Sequence, residues 1–369
     1  MIMLNIKTTN DKLLGPLQQV TGIVERRHTL PILSNVLVSA GGSKVDFLAT
    51  DLEVQITSSA QLEGSAEGTV TAGARKLYDI LPSLPEDAEV SLEAKENRMT
   101  VKAGKSRFNL QTLAAADFPR MVEAKDASKT LSIPQKALKN ALRLVQFAMA
   151  VQDIRYYLNG VLFSVDKDVL RVVATDGHRL SFASQQLEGD HGSVEAILPR
   201  KTVLERMKLL GDGDEAVSLA IGSKQARFSF GGIEIVSKIV EGKFPDYQKV
   251  IPTTHKNRVS LDRAALAQSR NRAAILSNEK IRGVRLVFTK DSLSIICTNN
   301  EQEEAEEGLA VEYDGDPLDI GFNISYLLDV LNHVDSPSVS VTMGDSNSSA
   351  LVQMPGREDF KYVVMPMRI

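Results

Sequence analysis

The sequence holds a single cysteine, Cys297, and no apolar run as long as a membrane span. One cysteine cannot build an internal disulfide framework or a zinc site made of cysteines. A membrane-spanning helix needs about 18 or more largely apolar residues in succession, and no segment approaches that length. The opening run MIMLNIKTTN lacks the basic and apolar segments of a signal peptide. These absences predict a cytoplasmic protein.

Motifs of the common catalytic families are also absent. There is no phosphate-binding G-x-x-x-x-G-K-[ST] loop, no G-x-S-x-G elbow and no H-E-x-x-H motif. The five histidines show no metal-ligand spacing, so we expect no metal, no cofactor and no catalytic residue. Asp176 and His178, in the run TDGHRL, leave one alternative open, a hydrolase that uses this pair. We favour a turn, because Thr50-Asp51 repeats the start of the run without a histidine and Asp side chains bind nearby backbone N–H groups.

What the chain does contain is one pattern present three times. Strand-like runs begin at Asn35, Gly160 and Gly283, spaced by 125 and then 123 residues. Each run is followed by Ala-Thr-Asp, Ala-Thr-Asp or Cys-Thr-Asn, then by a helical stretch, and finally by Phe-Pro or Met-Pro. A period of this length is a whole domain rather than a small solenoid repeat. We therefore predict three domains, at 1–125, 126–253 and 254–369.

Each copy contains two amphipathic helix candidates and several strand candidates. The clearest helix candidate is 134–150, where apolar residues recur every three or four positions. The strand candidates alternate apolar and polar residues. The pattern predicts the α+β class, with two helices packed against a largely antiparallel sheet in each domain. The helix candidates are 8–27, 74–81, 134–150, 200–210, 262–276 and 324–334.

The net charge of −4 argues against nucleic-acid binding, but the distribution of charge points the other way. Six windows over the helix candidates hold 16 Lys or Arg and 7 Asp or Glu, a net of +9, which leaves −13 for the rest of the chain. One explanation is that the outer faces of helices are commonly charged. The other is a basic surface that follows a phosphate backbone through counterion release. No recognition motif accompanies the charge, so we expect any such binding to be indifferent to base sequence.

Two further segments suggest contacts with other molecules. The acidic run EQEEAEE at 301–307 is complemented by the basic segment KSRF at 105–108 in the first copy. This pairing indicates head-to-tail self-association, which gives a ring if the contact closes and a filament if it does not. The run YVVMPMR at 362–368 is either a last core strand or an adaptable, Met-rich groove for peptides.

Long strings of this sequence resemble the bacterial DNA polymerase III β subunits, the sliding clamps. They are LPILSNVL, IRYYLNGVLF, VATDGHRL, KFPDY, RAAILSNEKIRGVRL, NNEQEEAEE, FNISYLLDVL and YVVMPMRI, which occur in order along the chain. The resemblance implies a homodimer of three-domain chains joined head to tail as a six-domain ring. Helices would line a hole around double-stranded DNA, and the ring would tether a polymerase without any catalysis. An adaptor of the same fold with no DNA role remains an alternative.

The resemblance also implies a partner-binding groove between the second and third domains. Its expected partners are the DNA polymerase III catalytic subunit, the clamp loader, other polymerases, mismatch-repair proteins and ligase, all through short peptides of the Gln-Leu-x-Leu-Phe type. Lys249 stands where closer relatives are expected to have arginine, so it keeps the charge but not the bidentate geometry. The implied lining is Leu158, Thr175, Gly177, His178, Arg179, Leu180, Pro245, Lys249, Val250, Tyr326, Ser349, Val363, Met365, Pro366, Met367 and Arg368.

Two more residue sets follow from the resemblance and from the charge pattern. The loop Glu25-Arg26-Arg27 differs from the glycine-rich form of this turn. The set expected to face DNA is Arg27, Arg75, Lys136, Lys139, Arg143, Gln152, Tyr156, Tyr157, Arg200 and Lys201. In the dimer contact, Lys105, Arg107, Phe108 and Leu110 are expected to face Ile275, Leu276, Glu301, Glu303 and Glu304 of the other subunit.

Overall fold

The computed structural model describes residues 2–25, 29–121, 129–273, 283–299, 301 and 303–369. The helices within these residues are α1 (Asn10–Thr21), α2 (Ala74–Ile80), α3 (Gln135–Val145), α4 (Arg200–Leu209), α5 (Arg263–Ala273) and α6 (Ile324–His333). The strands are β1 (Ile2–Thr9), β2 (Asn35–Thr50), β3 (Val54–Gly73), β4 (Glu89–Lys95), β5 (Arg98–Ala103), β6 (Ser106–Leu113), β7 (Lys129–Pro134), β8 (Gly160–Asp166), β9 (Val169–Thr175), β10 (Arg179–Gln186), β11 (Ser193–Pro199), β12 (Ala216–Ile221), β13 (Gln225–Phe230), β14 (Ile233–Lys238), β15 (Asn257–Asp262), β16 (Gly283–Thr289), β17 (Ser292–Thr298), β18 (Glu304–Ala310), β19 (Leu318–Asn323), β20 (Ser338–Met343), β21 (Ala350–Gln353) and β22 (Phe360–Val364).

All six predicted helices are present, and only their ends differ from the prediction. The third begins one residue later than expected, because Pro134 is the last residue of β7 and pairs with Ala216. Its predicted apolar stripe is the buried face: Leu138, Leu142 and Val145 are fully buried. The predicted ends of the first and fifth helices, at 27 and 276, lie outside the described residues.

The first of two compact units comprises Met1–Gln135 and Leu204–Ile239. Its 10-stranded sheet has the order β1-β4-β5-β6-β3-β14-β13-β12-β7, with β2 paired to β3. Helix α1 contacts β2 and β3, and its Leu13, Leu17 and Val20, spaced to lie on one helix face, are fully buried. Strands β3 and β14 lie antiparallel, with Val54 opposite Ser237, so segments far apart in the sequence share one sheet.

The second unit comprises Lys136–Val203 and Val240–Ile369. It contains an 8-stranded sheet of order β11-β8-β9-β10-β22-β21-β20-β15 and a 4-stranded sheet of order β18-β17-β16-β19. In the larger sheet β10 pairs with β22, which places Leu180 opposite Val363. Half of the β10 residues and most of the β22 residues are buried, and the candidate groove is built around these strands.

The repeat in the sequence and the compact units of the structure divide the chain differently. Strands of the predicted middle domain belong partly to the 10-stranded sheet and partly to the 8-stranded sheet. Every pairing among the described strands is antiparallel. The predicted α+β class, with two helices per copy, is confirmed. The exact domain boundaries stay a prediction. No described helix is both long and apolar enough to cross a membrane.

Candidate functional site

The turn after β9 is held by the side chains of Thr175 and Asp176. Asp176 Oδ1 accepts hydrogen bonds from the backbone N–H groups of His178 at 2.9 Å and Arg179 at 3.0 Å. Thr175 Oγ1 accepts from the Gly177 N–H at 3.1 Å and donates to the Arg179 carbonyl at 2.6 Å. Gly177 adopts a φ of 91°, a left-handed value that favours glycine. The turn therefore presents His178 and Arg179 at the start of β10.

The Asp51 turn repeats this pattern in the first copy, and Asn299 holds a related turn in the third. Asp51 accepts from two backbone N–H groups, those of Glu53 at 2.9 Å and Val54 at 2.7 Å. Asn299 accepts from the N–H groups of Glu301 at 3.0 Å and of Glu303 at 2.9 Å. The interpretation of Thr-Asp as a turn device is thus confirmed. A structural role shared by three positions explains Asp176 without the acid-base pair of the hydrolase alternative.

Arg179 is the centre of a polar network beneath this turn. Its guanidinium donates to Asp176 Oδ2 at 3.1 Å, to the carbonyl of Phe147 at 2.8 Å and to the carboxylate of Asp329. It also lies over the ring of Tyr326, 4.4 Å from the centroid, a cation–π geometry. Only 10% of the Arg179 side-chain surface is exposed. Arg179 therefore joins the turn, the end of α3 and helix α6.

Two tyrosines complete the polar side of the groove. The Tyr362 hydroxyl donates to the Tyr326 carbonyl at 2.9 Å. Burial raises the pKa of both phenols above the ordinary value of tyrosine. Both side chains consequently remain neutral hydrogen-bonding groups at physiological pH. Ser349, which comes just before Ala350 opposite Val364, lies beside the start of the segment that follows β22.

The floor of the candidate groove is apolar. Leu180 and Val363 belong to a buried cluster on the 8-stranded sheet, and Leu158 is 1% exposed. Tyr247, in the short helical turn that carries Lys249 and precedes Val250, packs into the same cluster. The cluster consists of Leu162, Val173, Leu180, Phe182, Ile197, Phe244, Tyr247, Leu351 and Val363.

One edge of the groove is the segment after β22. The Met365 N–H donates to the His178 carbonyl at 2.9 Å, and the Met367 N–H donates to the Gly321 carbonyl at 2.9 Å. Met365 and Val250 keep 46% and 44% of their surface exposed, so each offers apolar surface at the edge of the candidate groove. Among the remaining expected lining residues, Pro366 and Met367 are half-buried, whereas Gly177, His178, Pro245, Lys249 and Arg368 are exposed. The Lys249 ammonium lies 2.9 Å from Asp246.

The structure places further residues beside the candidate groove that the sequence did not single out. Arg155 donates to the Asp176 carbonyl at 3.3 Å and forms an ion pair with Asp153 at 2.8 Å. The hydrogen bonds from Arg155 lower the pKa of Asp153 to about 2. Phe147 and Asp329 are the other two additions, because both bind Arg179. Arg155 and Asp329 lie inside strings that carry the family resemblance, but no spacing rule marks them.

The described residues expected to face DNA lie on helices α2, α3 and α4 and in the segment 152–157. Arg75 on α2, Lys136 on α3, Gln152 and Tyr156 are exposed, whereas Lys139, Arg200, Lys201 and Tyr157 are half-buried. Tyr157 also packs against the buried cluster. Arg143 is half-buried, because it binds Asn140, the carbonyl of His333 and Asp335. Its role is therefore at least partly structural. Arg27 lies outside the described residues.

The residues expected at a dimer contact lie on strand edges. In the first unit Lys105 and Arg107 are exposed, Phe108 is half-buried and Leu110 is 8% exposed. In the second unit Glu301, Glu303 and Glu304 are exposed at the start of β18. Ile275 and Leu276 lie outside the described residues.

Three family models cover nearly the whole chain. The models for the N-terminal, central and C-terminal domains of the DNA polymerase III beta subunit match residues 4–122, 132–246 and 248–368. The chain belongs to this family. The three copies seen in the sequence are its three domains, and the chain functions as a DNA sliding clamp.

Individual members of the family are similar over their full length. The beta sliding clamp of Pseudomonas putida is 48% identical, with 97% of this chain and 98% of that protein covered. The beta sliding clamp of Pseudomonas aeruginosa is 47% identical with the same coverage. A crystal structure of a Pseudomonas aeruginosa sliding clamp bound to griselimycin superposes with a TM-score of 0.96 at 46% identity, covering 99% of this chain and 100% of that one. The predicted resemblance to sliding clamps is confirmed.

Proposed function

We propose that two copies of this chain join head to tail into a closed ring around double-stranded DNA. The ring binds DNA without regard to base sequence and carries out no chemistry of its own. Its groove binds short Gln-Leu-x-Leu-Phe-like peptides of the replicative polymerase, the clamp loader, other polymerases, mismatch-repair proteins and ligase. The proposal places the ring in the cytoplasm, where bacterial DNA is replicated.

Two open strand edges of opposite charge carry the ring proposal. Within the described part of the first unit, residues of β6 before Thr112 pair only with β5. Within the described part of the second unit, β18 pairs only with β17. Exposed edges recruit further strands. Because Lys105 and Arg107 flank one edge and Glu304 and Glu306 lie on the other, pairing of the two edges between copies would join opposite charges in a head-to-tail contact.

Basic residues at helix starts support contact with the DNA backbone. Lys136 lies in the first turn of α3, Arg200 and Lys201 lie in the first turn of α4, and neither first turn carries an acidic residue. Positive charge at a helix N-terminus opposes the helix dipole and costs about 0.3–1 kcal/mol. The same position favours phosphate, because the positive end of the helix dipole and a basic side chain lie together there. Helix stability alone therefore does not account for this placement.

The groove has the composition expected of a peptide site. Its floor is buried and apolar, its rim carries the exposed side chains of Met365 and Val250, and Arg179 and Tyr326 supply ordered polar groups. Apolar anchors give affinity in such sites, and a few polar groups fix the direction of the peptide. These features support binding of a short peptide with large apolar side chains.

A topological experiment tests the ring. The protein is loaded onto nicked circular plasmid with a clamp loader and ATP, the complex is isolated, and the DNA is then cut once. We expect the protein to leave the linear DNA and to stay on the circle in high salt, because a closed ring does not depend on counterion release. Retention on the linear DNA, with loss from the circle in high salt, would show simple electrostatic attachment and refute the proposal.

A matched variant separates ring closure from loading. Arg107→Glu places a negative charge on the basic edge and should weaken the dimer, so that less of the protein remains on the circle. Arg120→Ala, an exposed change in the same unit, serves as the control and should load as the unchanged protein does.

A further inference from the structure

Two glycines form a bare patch on the 4-stranded sheet of the second unit. Gly283 begins β16 and Gly321 lies in β19, with Gly283 opposite Asn323 and Arg285 opposite Gly321. Side chains alternate between the faces of a sheet and paired residues share a face, so the two glycines are diagonal neighbours on one face. A strand glycine often marks a close approach by another part of the chain.

Ile369 occupies the space above both glycines. A Cβ atom added at Gly283 would lie 3.0 Å from Ile369 Cδ1 and 3.1 Å from Ile369 Cγ1. One added at Gly321 would lie 2.8 Å from Ile369 Cδ1 and 2.4 Å from the Met367 carbonyl oxygen. In the same sheet Gly308 would meet nothing within 4 Å. The patch formed by Gly283 and Gly321 is therefore a seat for Ile369.

The segment that ends in this seat is the edge of the groove. It leaves β22, donates from Met365 to the His178 carbonyl and from Met367 to the Gly321 carbonyl, both at 2.9 Å, and then reaches Ile369. Within this segment Met365 keeps 46% of its surface exposed. Two backbone hydrogen bonds and one apolar contact thus define the path of an otherwise exposed segment.

We propose that Ile369, seated on Gly283 and Gly321, is a positioning residue that holds Met365–Arg368 in the conformation that binds peptides. The inference rests on the proposed peptide groove and adds the device that orders its edge. Ile369 is itself 55% exposed, so the contact contributes little to global stability. Its effect is on the fraction of molecules in which the segment is ordered, and apparent affinity falls in proportion to that fraction.

Substitutions in the seat test the proposal. Gly283→Ala introduces one methyl group that meets only Ile369 side-chain atoms among its nearest neighbours, and alanine normally stabilises a strand relative to glycine. We expect a roughly fivefold loss of affinity for a labelled Gln-Leu-x-Leu-Phe peptide, about 1 kcal/mol, with no fall in melting temperature. Ile369→Gly should give a similar loss of affinity. The conservative change Ile369→Leu should keep the affinity of the unchanged protein. Gly41→Ala is the control, since Gly41 would meet nothing within 4 Å.

The double variant Gly283→Ala with Ile369→Gly decides whether the two positions act through one contact. If they do, the double variant binds no more weakly than either single variant, whereas independent effects would add. Additive losses, or a Gly283→Ala protein that binds like the control, would overturn the proposal.

Hydrogen exchange at the Met367 amide gives a readout that needs no peptide. We expect exchange at Met367 to become faster in Gly283→Ala and Ile369→Gly and to stay unchanged in Ile369→Leu and Gly41→Ala, because the amide bonds to Gly321 only while the segment is seated. Unchanged exchange in all variants would refute the anchoring role. If the unchanged protein failed to bind the peptide, the proposed groove would be wrong, and the exchange data would still decide whether Ile369 anchors the segment.

Discussion

Truncation of Arg179 to alanine should destabilise the second unit more than any single change at its surface. The guanidinium holds together Asp176, Asp329 and the Phe147 carbonyl, and it covers one face of the Tyr326 ring. Removing it leaves two carboxylates without their counter-charge. It also leaves a carbonyl without its donor.

The size of the effect follows from the burial of the two carboxylates. Loss of one member of a buried ion pair costs about 3–5 kcal/mol. Arg179 is 10% exposed and Asp176 is 17% exposed, but Asp329 keeps 37% of its side-chain surface in water. Because Asp329 can be hydrated again after the change, we expect the lower end of the range, ~3 kcal/mol. For a unit of this size the melting temperature should fall by about 6–12 °C.

Differential scanning calorimetry at pH 7 measures the shift. Arg120→Ala, an exposed arginine in the other unit, is the matched control and should change the stability by less than ~0.5 kcal/mol. Arg179→Lys should fall between the two, since an ammonium keeps the charge but cannot reach three acceptors in the fixed geometry of a guanidinium. A melting temperature for Arg179→Ala within about 2 °C of the control would show that the network contributes little and would refute this reasoning.

Three further predictions concern charge. Arg107→Glu should weaken the dimer by about tenfold or more, and Glu304→Arg in the same chain should restore it in part, as sedimentation velocity over a concentration series can show. Arg200→Glu should weaken DNA association at all base sequences and reduce the slope of log affinity against log salt by roughly 1, which a titration at several salt concentrations measures. The Asp153 carboxylate should titrate near pH 2, and Arg155→Ala should return its pKa towards 3.8, as carboxyl-carbon NMR can follow. Since the folded-state pKa of Asp153 is depressed, its contribution to stability is present above the unfolded pKa and disappears as pH falls through about 2.

Local features of this fold were predictable because they depend on neighbours in the sequence. The apolar spacing of Leu138, Leu142 and Val145 defines one face of a helix, and that face is the buried one. Asp51 and Asp176 each bind N–H groups two and three residues ahead, so a repeated dipeptide was enough to indicate a turn.

Long-range features were not predictable from periodicity. The pairing of Val54 with Ser237 joins residues from different copies of the pattern, and an alternating strand pattern does not state its partner. The same limit applies to Arg143. Its charge suggested a DNA contact, but besides Asn140 it binds His333 and Asp335, almost 200 positions away in the chain. The groove residues came from the family resemblance, because neither spacing nor composition distinguishes a groove rim from a core strand.

Each unit contains the same backbone junction, a hydrogen bond between a strand end and the residue two positions after a Thr-Asp turn, but the side chains at the two junctions differ. In the second unit the Met365 N–H donates to the His178 carbonyl at 2.9 Å, and in the first unit the Lys238 N–H donates to the Glu53 carbonyl at 2.9 Å. His178 and Glu53 both follow the Thr-Asp turn by two residues. In the first unit, however, the side chains of Lys238 and Glu53 form an ion pair at 3.0 Å. In the second unit the apolar side chain of Met365 is exposed instead.

A hydrated ion pair offers a peptide no apolar anchor, and its displacement would require desolvation of both charges. Side chains rather than the fold therefore decide which junction can bind a partner. We expect one peptide per chain in isothermal titration calorimetry. Replacement of Met365 by Lys should weaken binding at that one site. A stoichiometry of two peptides per chain would mean that the shared backbone geometry, and not its side chains, makes the site.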